Sequence, residues 1–143
     1  MNILECLQQD GCITQQKISR AKISQAFQSI KITDSTFEYV DFEGDLENTC
    51  FLNCKFYKCI FKNLNIVTFE KCLFYDITIK KNIIRSDFTQ CLINGLIISH
   101  SCLKNVSFLN CSGEYTSENN DIITLGINNM NLQNCKLVNV CFK

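Results

Sequence analysis

A bulky apolar residue returns every fifth position through most of the chain, and mostly polar or charged residues fill the places between. Residues 49–63 put Phe51, Phe56 and Phe61 in step, and residues 90–111 do the same with Ile93, Ile98, Leu103 and Phe108. An earlier block runs Phe27, Ile32, Phe37, Phe42, and a later one Ile127, Leu132, Leu137, Phe142, while Phe74 and Phe88 carry the phase between them. A helix repeats its buried face every 3.6 residues and a strand every two, so a sustained period of five needs another architecture. Self-similarity at a fixed period is the signature of a solenoid, whose coils stack and share one core.

The residue two places before a bulky one is usually small. Cys54, Cys59, Cys72, Cys91 and Cys135 hold this position, as do Thr49, Ser101, Val106 and Val140, and Cys111 falls on the same small column. Both columns are expected to face inward, because one small and one large inward residue per repeat fill a narrow coil without voids.

The blocks VDFEG (40–44), SDFTQ (86–90) and MNLQN (130–134) run small residue, Asp or Asn, Leu or Phe, then two polar residues. The pattern resembles the pentapeptide-repeat family over roughly residues 27–143. It departs from that family at the second position, where Asp or Asn stands only in places such as Asp41, Asn65, Asp87 and Asn131. The resemblance implies an all-β solenoid, a right-handed quadrilateral β-helix in which each pentapeptide forms one side and four complete a turn. With coils stacked at about 4.8 Å, residues 28–143 would make about five to six of them. Asn recurs two places after the bulky residue at Asn53, Asn63, Asn105, Asn110, Asn134 and Asn139, which makes it the expected corner residue.

The phase also slips. Taking Ile66 as inward, it resumes at Phe74 with extra residues around 69–71, and it shortens near Leu46 and near Arg85. The largest break follows Cys111, where residues 112–121 are polar and read as a loop inserted in the coil. Before Phe27 the phase fades, because Lys17 and Lys22 fall where bulky residues belong. Residues 14–30 show a loose helical spacing, so residues 1–27 are expected to form a short, helical N-terminal cap over the open end of the solenoid. The repeat continues through Phe142 at the other end, and the family resemblance implies a homodimer through that C-terminal coil.

Composition adds limits. The 14 basic and 14 acidic residues cancel, and no apolar run is long enough to cross a membrane as a helix. The first residues carry Glu5 and Asp10 and lack the form of a secretory signal, so a cytoplasmic location is expected. Eleven cysteines invite a disulfide or zinc reading, but six lie on the inward column, where a thiol acts as a compact apolar residue. Cys50, Cys102 and Cys141 sit beside a bulky residue and should face outward. The count is odd and paired CxxC motifs are lacking, so no metal and no cofactor are expected. His100, the single histidine, falls at an outward corner, and no phosphate-binding or nucleophile motif is present, so an enzyme is not expected.

The outward surface remains. The acids Glu38, Asp41, Glu43, Asp45 and Glu47 fall in a run, residues 34–47, that has no Lys or Arg, and with Glu114, Tyr115 and Glu118 of the 112–121 loop they form the candidate interaction surface. Basic groups follow at Lys55, Lys58 and Lys62 and again at Lys80, Lys81 and Arg85. The reading is a non-catalytic interaction module with a protein partner, binding neither nucleic acid nor membrane. Some pentapeptide-repeat proteins bind DNA gyrase by imitating duplex DNA, so the resemblance also carries a topoisomerase-modulating alternative. A composition rich in Ile, Asn, Lys and Phe points to a bacterial source and adds an effector acting on a host protein as another.

Overall fold

The computed structural model describes residues 11–98, 102–111, 126–133 and 138–142, and of Cys102 and the last two segments the backbone alone. The described residues form sixteen strands, from Cys12–Thr14 to Val138–Phe142, and no helix. Every strand pairing is parallel, between residues about one coil apart in sequence wherever the coil is continuous.

Four columns of inward residues define four sides. The first stacks Ile13, Ile32, Phe51, Phe69, Phe88 and Phe108 in register. The second stacks Ile18, Phe37, Phe56, Phe74 and Ile93. The third stacks Ile23, Phe42, Phe61, Ile79 and Ile98, and the fourth Phe27, Leu46, Leu64, Ile83 and Leu103. Sides one and four belong to a nine-stranded sheet and sides two and three to a seven-stranded one. The backbone of Ile127 and Leu132 continues columns four and one, and Phe142 pairs with Ile98 on side three. Strand Val138–Phe142 thus stacks directly on Leu92–Ile98.

All the expected core residues whose side chains are described are buried: Phe37, Phe42, Phe51, Phe56, Phe61, Phe74, Phe88, Ile93, Ile98, Leu103 and Phe108, with Cys54, Cys59, Cys72, Cys91 and Cys111. Leu137 and Cys135 lie outside the described residues. The phenyl rings form parallel stacks along the axis, such as Phe42 on Phe61 at 4.8 Å between centroids and Phe88 on Phe108 at 4.5 Å. Between stacks they meet edge to face, as Phe51 does Phe56 at 5.2 Å. The interior is therefore filled by side chains throughout the coils that carry these rings.

The corners explain where the phase slips. Three corners turn on a residue with positive φ whatever its type: Asn53 and Gln90 between sides one and two, Tyr39 and Asp76 between two and three, Asn48 and Ile66 between four and one. Asn therefore serves at some corners without being required, and Asn63 is not among the positive-φ residues. The corner between sides three and four is short instead. It spans four residues from Ile23 to Phe27, Phe42 to Leu46 and Ile79 to Ile83, three from Phe61 to Leu64, and a full five from Ile98 to Leu103.

Two expectations are corrected by this corner. The helix over residues 14–30 does not form: Cys12–Thr14, Lys17–Ile23 and Phe27–Gln28 are strands of the first coil, so the solenoid already runs by Cys12. The short step from Ile23 to Phe27 moves the phase by one, putting Ile18 and Ile23 on the core columns and Lys17 and Lys22 outside. Residues 1–10 lie outside the described residues. Ile66 is also not inward: it is 42% exposed, while Leu64, Val67 and Phe69 are buried. The three-residue step from Phe61 to Leu64 shifts the phase, so residues 69–71 are no insertion and Asn65 follows its core residue instead of preceding it.

Candidate interaction surface

The small inward column entering side two is a ladder of one hydroxyl and four thiols. Ser35, Cys54, Cys72, Cys91 and Cys111 lie one coil apart and are all buried. Each group donates to the carbonyl two residues before it, as Ser35 Oγ does to Thr33 O at 2.9 Å and Cys91 Sγ to Thr89 O at 3.4 Å. The cysteines also reach a carbonyl of the preceding coil, as Cys72 Sγ does to Phe51 O at 3.4 Å. Hydrogen bonding to Cys54 and Cys91, with burial, pushes the Cys72 thiol up, and burial pushes that of Cys59 up to about 11. Among the described residues no group of His, Cys, Asp or Glu is arranged to hold a metal ion. These thiols pack and bond the backbone. Cys50 is half-buried and its thiol is raised chiefly by burial, and Cys12 is exposed.

The acidic run does not form one surface. Glu38 stands on side two, 3.7 Å from Lys17 Nζ, and accepts from Ser19 Oγ. Asp41 lies on side three and Glu43 at its end, 3.8 Å from Lys22 Nζ. Asp45 and Glu47 stand on side four, where Asp45 accepts from Asn63 Nδ2 at 2.7 Å. Five acids thus wrap around three sides of one coil. Glu114, Tyr115, Glu118 and His100 lie outside the described residues.

Two surfaces assembled from distant residues were not expected. Side two and the corner that leaves it collect three of the four tyrosines, Tyr57 and Tyr75 on the wall and Tyr39 at the corner. Tyr39 is 50% exposed, with Arg20 Cζ 5.2 Å and Lys58 Nζ 5.7 Å from its ring centroid in the coils on either side. The Tyr57 and Tyr75 rings lie 6.1 Å apart, and half-buried Leu73 and Leu92 extend the patch along the axis. The signal was present in the spacing of eighteen residues between successive tyrosines, close to one coil. The second surface gathers Lys62, Lys80, Lys81, Arg85 and Lys104 along sides three and four. The cations other than Lys62 are exposed, and neither ion pair recorded among the described residues includes any of them.

Solved structures share this architecture. Two trypsin-treated variants of QnrB1, a plasmid-mediated fluoroquinolone resistance protein, align with 91% and 90% of this chain and 79% and 74% of their own, at TM-scores of 0.61 and 0.58 and identities of 20% and 18%. A pentapeptide repeat protein of the cyanobacterium Cyanothece 51142, Rfr23, aligns over 98% of the chain and 97% of its own at 10% identity, but its TM-score of 0.28 adds nothing to the assignment. The sequence matches no protein-family model and no curated protein. The five-residue repeat, the four stacked columns and the likeness to QnrB1 together make this chain a pentapeptide-repeat protein in fold.

Proposed function

We infer that this protein is a rigid, non-catalytic rod that binds a protein partner through its outward sides, with side two as the principal contact. The observation that carries the reading is the exposed Tyr39 between Arg20 and Lys58, continued by Tyr57 and Tyr75. Tyrosine and arginine on a flat, rigid support supply large contact area at little entropic cost, and interface hot spots are enriched in both. The phenyl-filled interior favours contact over chemistry. A homodimer through the C-terminal coil belongs to the same reading, because strand Val138–Phe142 is the last of its sheet among the described residues. Affinity capture from bacterial and from eukaryotic lysate, with the natural chain and with a Tyr39→Ala/Tyr57→Ala variant, tests it. A partner retained equally by both proteins would exclude side two.

Modulation of a topoisomerase is the second reading, supported by the shared fold with a fluoroquinolone resistance protein. The charge pattern weighs against mimicry of duplex DNA, which needs negative potential along several coils of one side, whereas Glu38 to Glu47 spread over three sides of a single coil. A gyrase supercoiling assay with added protein separates the two readings. The lysate comparison likewise separates a bacterial partner from the host protein expected of an effector.

A further inference from the structure

The charges of the chain cancel in sum but not in space: most acids of the described residues lie in the second coil, and a wall further along carries cations. Lys80 closes side three and Lys81 stands on the corner after it, while Arg85 holds the corner that leaves side four and Lys104 lies on side four in the next coil. All four are exposed. Their backbones are tied to neighbouring coils, since Lys80 N donates to Phe61 O at 2.9 Å, Lys81 N to Lys62 O at 3.0 Å and Arg85 N to Lys104 O at 2.8 Å. Between the two corners the wall presents Asn82 and half-buried Ile84, with Asn63 and Asn65 in the coil before. Lys62 lies under Lys80 but is half-buried and has Glu43 in the coil before it, so it is not counted with the four. Asp45 and Glu47 share side four two coils before the row of Arg85, and Asp87 lies beyond the corner on side one.

We propose that this wall binds duplex DNA through its phosphates, reading charge and not sequence. Lys81 to Arg85 is four residue steps, at most about 13 Å, and a duplex carries one negative charge per about 1.7 Å of its axis. A duplex lying along this row therefore offers the four cations more phosphates than they can neutralise. In that pose it crosses the rod at right angles. Its round surface curves away from the flat wall, so it meets Lys81, Arg85 and Lys104 and clears Asp45 and Glu47, two coils or about 10 Å away. A planar bilayer laid on the same wall would meet both acids, which disfavours a lipid surface. A single strand is disfavoured because this wall, among the described residues, has no aromatic ring on which unpaired bases could stack. The balanced charge of the whole chain argues against a nucleic-acid partner only if it is spread evenly, and the fold keeps most of the acids off this wall. Four contacts give an affinity in the range of non-specific binding, about 10⁻⁴–10⁻⁶ M at physiological salt.

Fluorescence anisotropy of a labelled mixed-sequence DNA duplex of about 20 base pairs, titrated with the full chain up to about 300 μM between about 50 and 200 mM salt, reads the outcome. Four phosphate contacts give an expected slope of log K on log salt of about −3.6, and binding about a hundredfold weaker at the upper salt than at the lower. Lys81→Gln/Arg85→Gln, confirmed as folded by circular dichroism, should flatten the slope to about −1.8 and bind at least about tenfold more weakly at about 50 mM salt. Lys104→Gln, in the next coil, should remove about 0.9 from the slope. A duplex of another sequence should bind equally, and the corresponding single strand more weakly. Tyr39→Ala/Tyr57→Ala should change none of this, so the side-two reading and this one stand or fall separately. No binding at about 50 mM salt overturns the proposal, as does an unchanged slope in both charge variants or a single strand bound as tightly as the duplex. Co-sedimentation with phosphatidylglycerol vesicles that is lost in Lys81→Gln/Arg85→Gln, by a chain that leaves the duplex unbound, would also overturn it and give the cations to a lipid surface.

Discussion

Phe56 stacks face to face on Phe74 of the next coil, with centroids 5.3 Å apart and planes 11° from parallel. Phe37 lies against its other face, also at 5.3 Å. Truncating the middle ring removes contacts in three coils at once, so Phe56→Ala is expected to cost about 3–5 kcal/mol in chemical denaturation. Lys55→Ala, one residue away and pointing outward, should stay within about 0.5 kcal/mol. Equal effects would mean that the inward column is wrongly placed.

Ile66 offers the opposite test. It is a β-branched residue at φ 56°, exposed, in a conformation that costs such side chains roughly 1–2 kcal/mol. Ile66→Asn should therefore raise stability by about 0.5–1 kcal/mol, since Asn tolerates this conformation. Phe69→Asn, three residues on, should unfold the coil. Thermal melts of the two variants side by side check both, and a destabilised Ile66→Asn would count against the corrected phase.

Gly44 lies at the short corner of the second coil, where a β-carbon would collide with the backbone carbonyl of Gln25 in the coil before it. Backbone cannot give way as a flexible side chain can, so Gly44→Ala should destabilise by more than about 2 kcal/mol. Gly11→Ala meets no such wall, its nearest contact being Ser29 O at 3.5 Å, and pays only for its φ of +62°. The ratio of the two effects, from equilibrium unfolding, is the quantity to measure.

The buried thiols set a pH dependence. Burial raises the Cys59 thiol from 9.0 to about 11, so the folded chain holds this proton more tightly than the unfolded chain does. Its contribution is complete below about pH 9 and disappears as pH rises towards about 11. Two pH units correspond to about 2–3 kcal/mol. The natural chain should accordingly lose more stability across that window than Cys59→Ala does, and parallel slopes would contradict it.

The columns were legible in the sequence because side chains such as Phe51, Phe56 and Phe61 follow each other at five-residue steps along continuous coil. The phase failed only beyond the short corner, at Lys17, Lys22 and Ile66, since a step of three or four residues displaces everything before or after it. The period of five marks the inward cysteines as packing, and Cys54, Cys59, Cys72, Cys91 and Cys111 are buried. The surface was harder. Neighbours in sequence such as Glu38 and Glu47 point away from different sides, whereas neighbours on a side such as Tyr57 and Tyr75 are a whole coil apart. Reading it requires the length of each coil, which the core alone reveals.

The variable corner between sides three and four acts as an expansion joint. Insertions and deletions of one or two residues there, at positions such as 24–26, 43–45 and 80–82, change the length of a coil without rotating the other three walls. Residues added within a wall would instead turn every later side chain out of its column. Changes of length between relatives should therefore collect along this one edge, and an engineer who wishes to hang a foreign loop on the rod has its address.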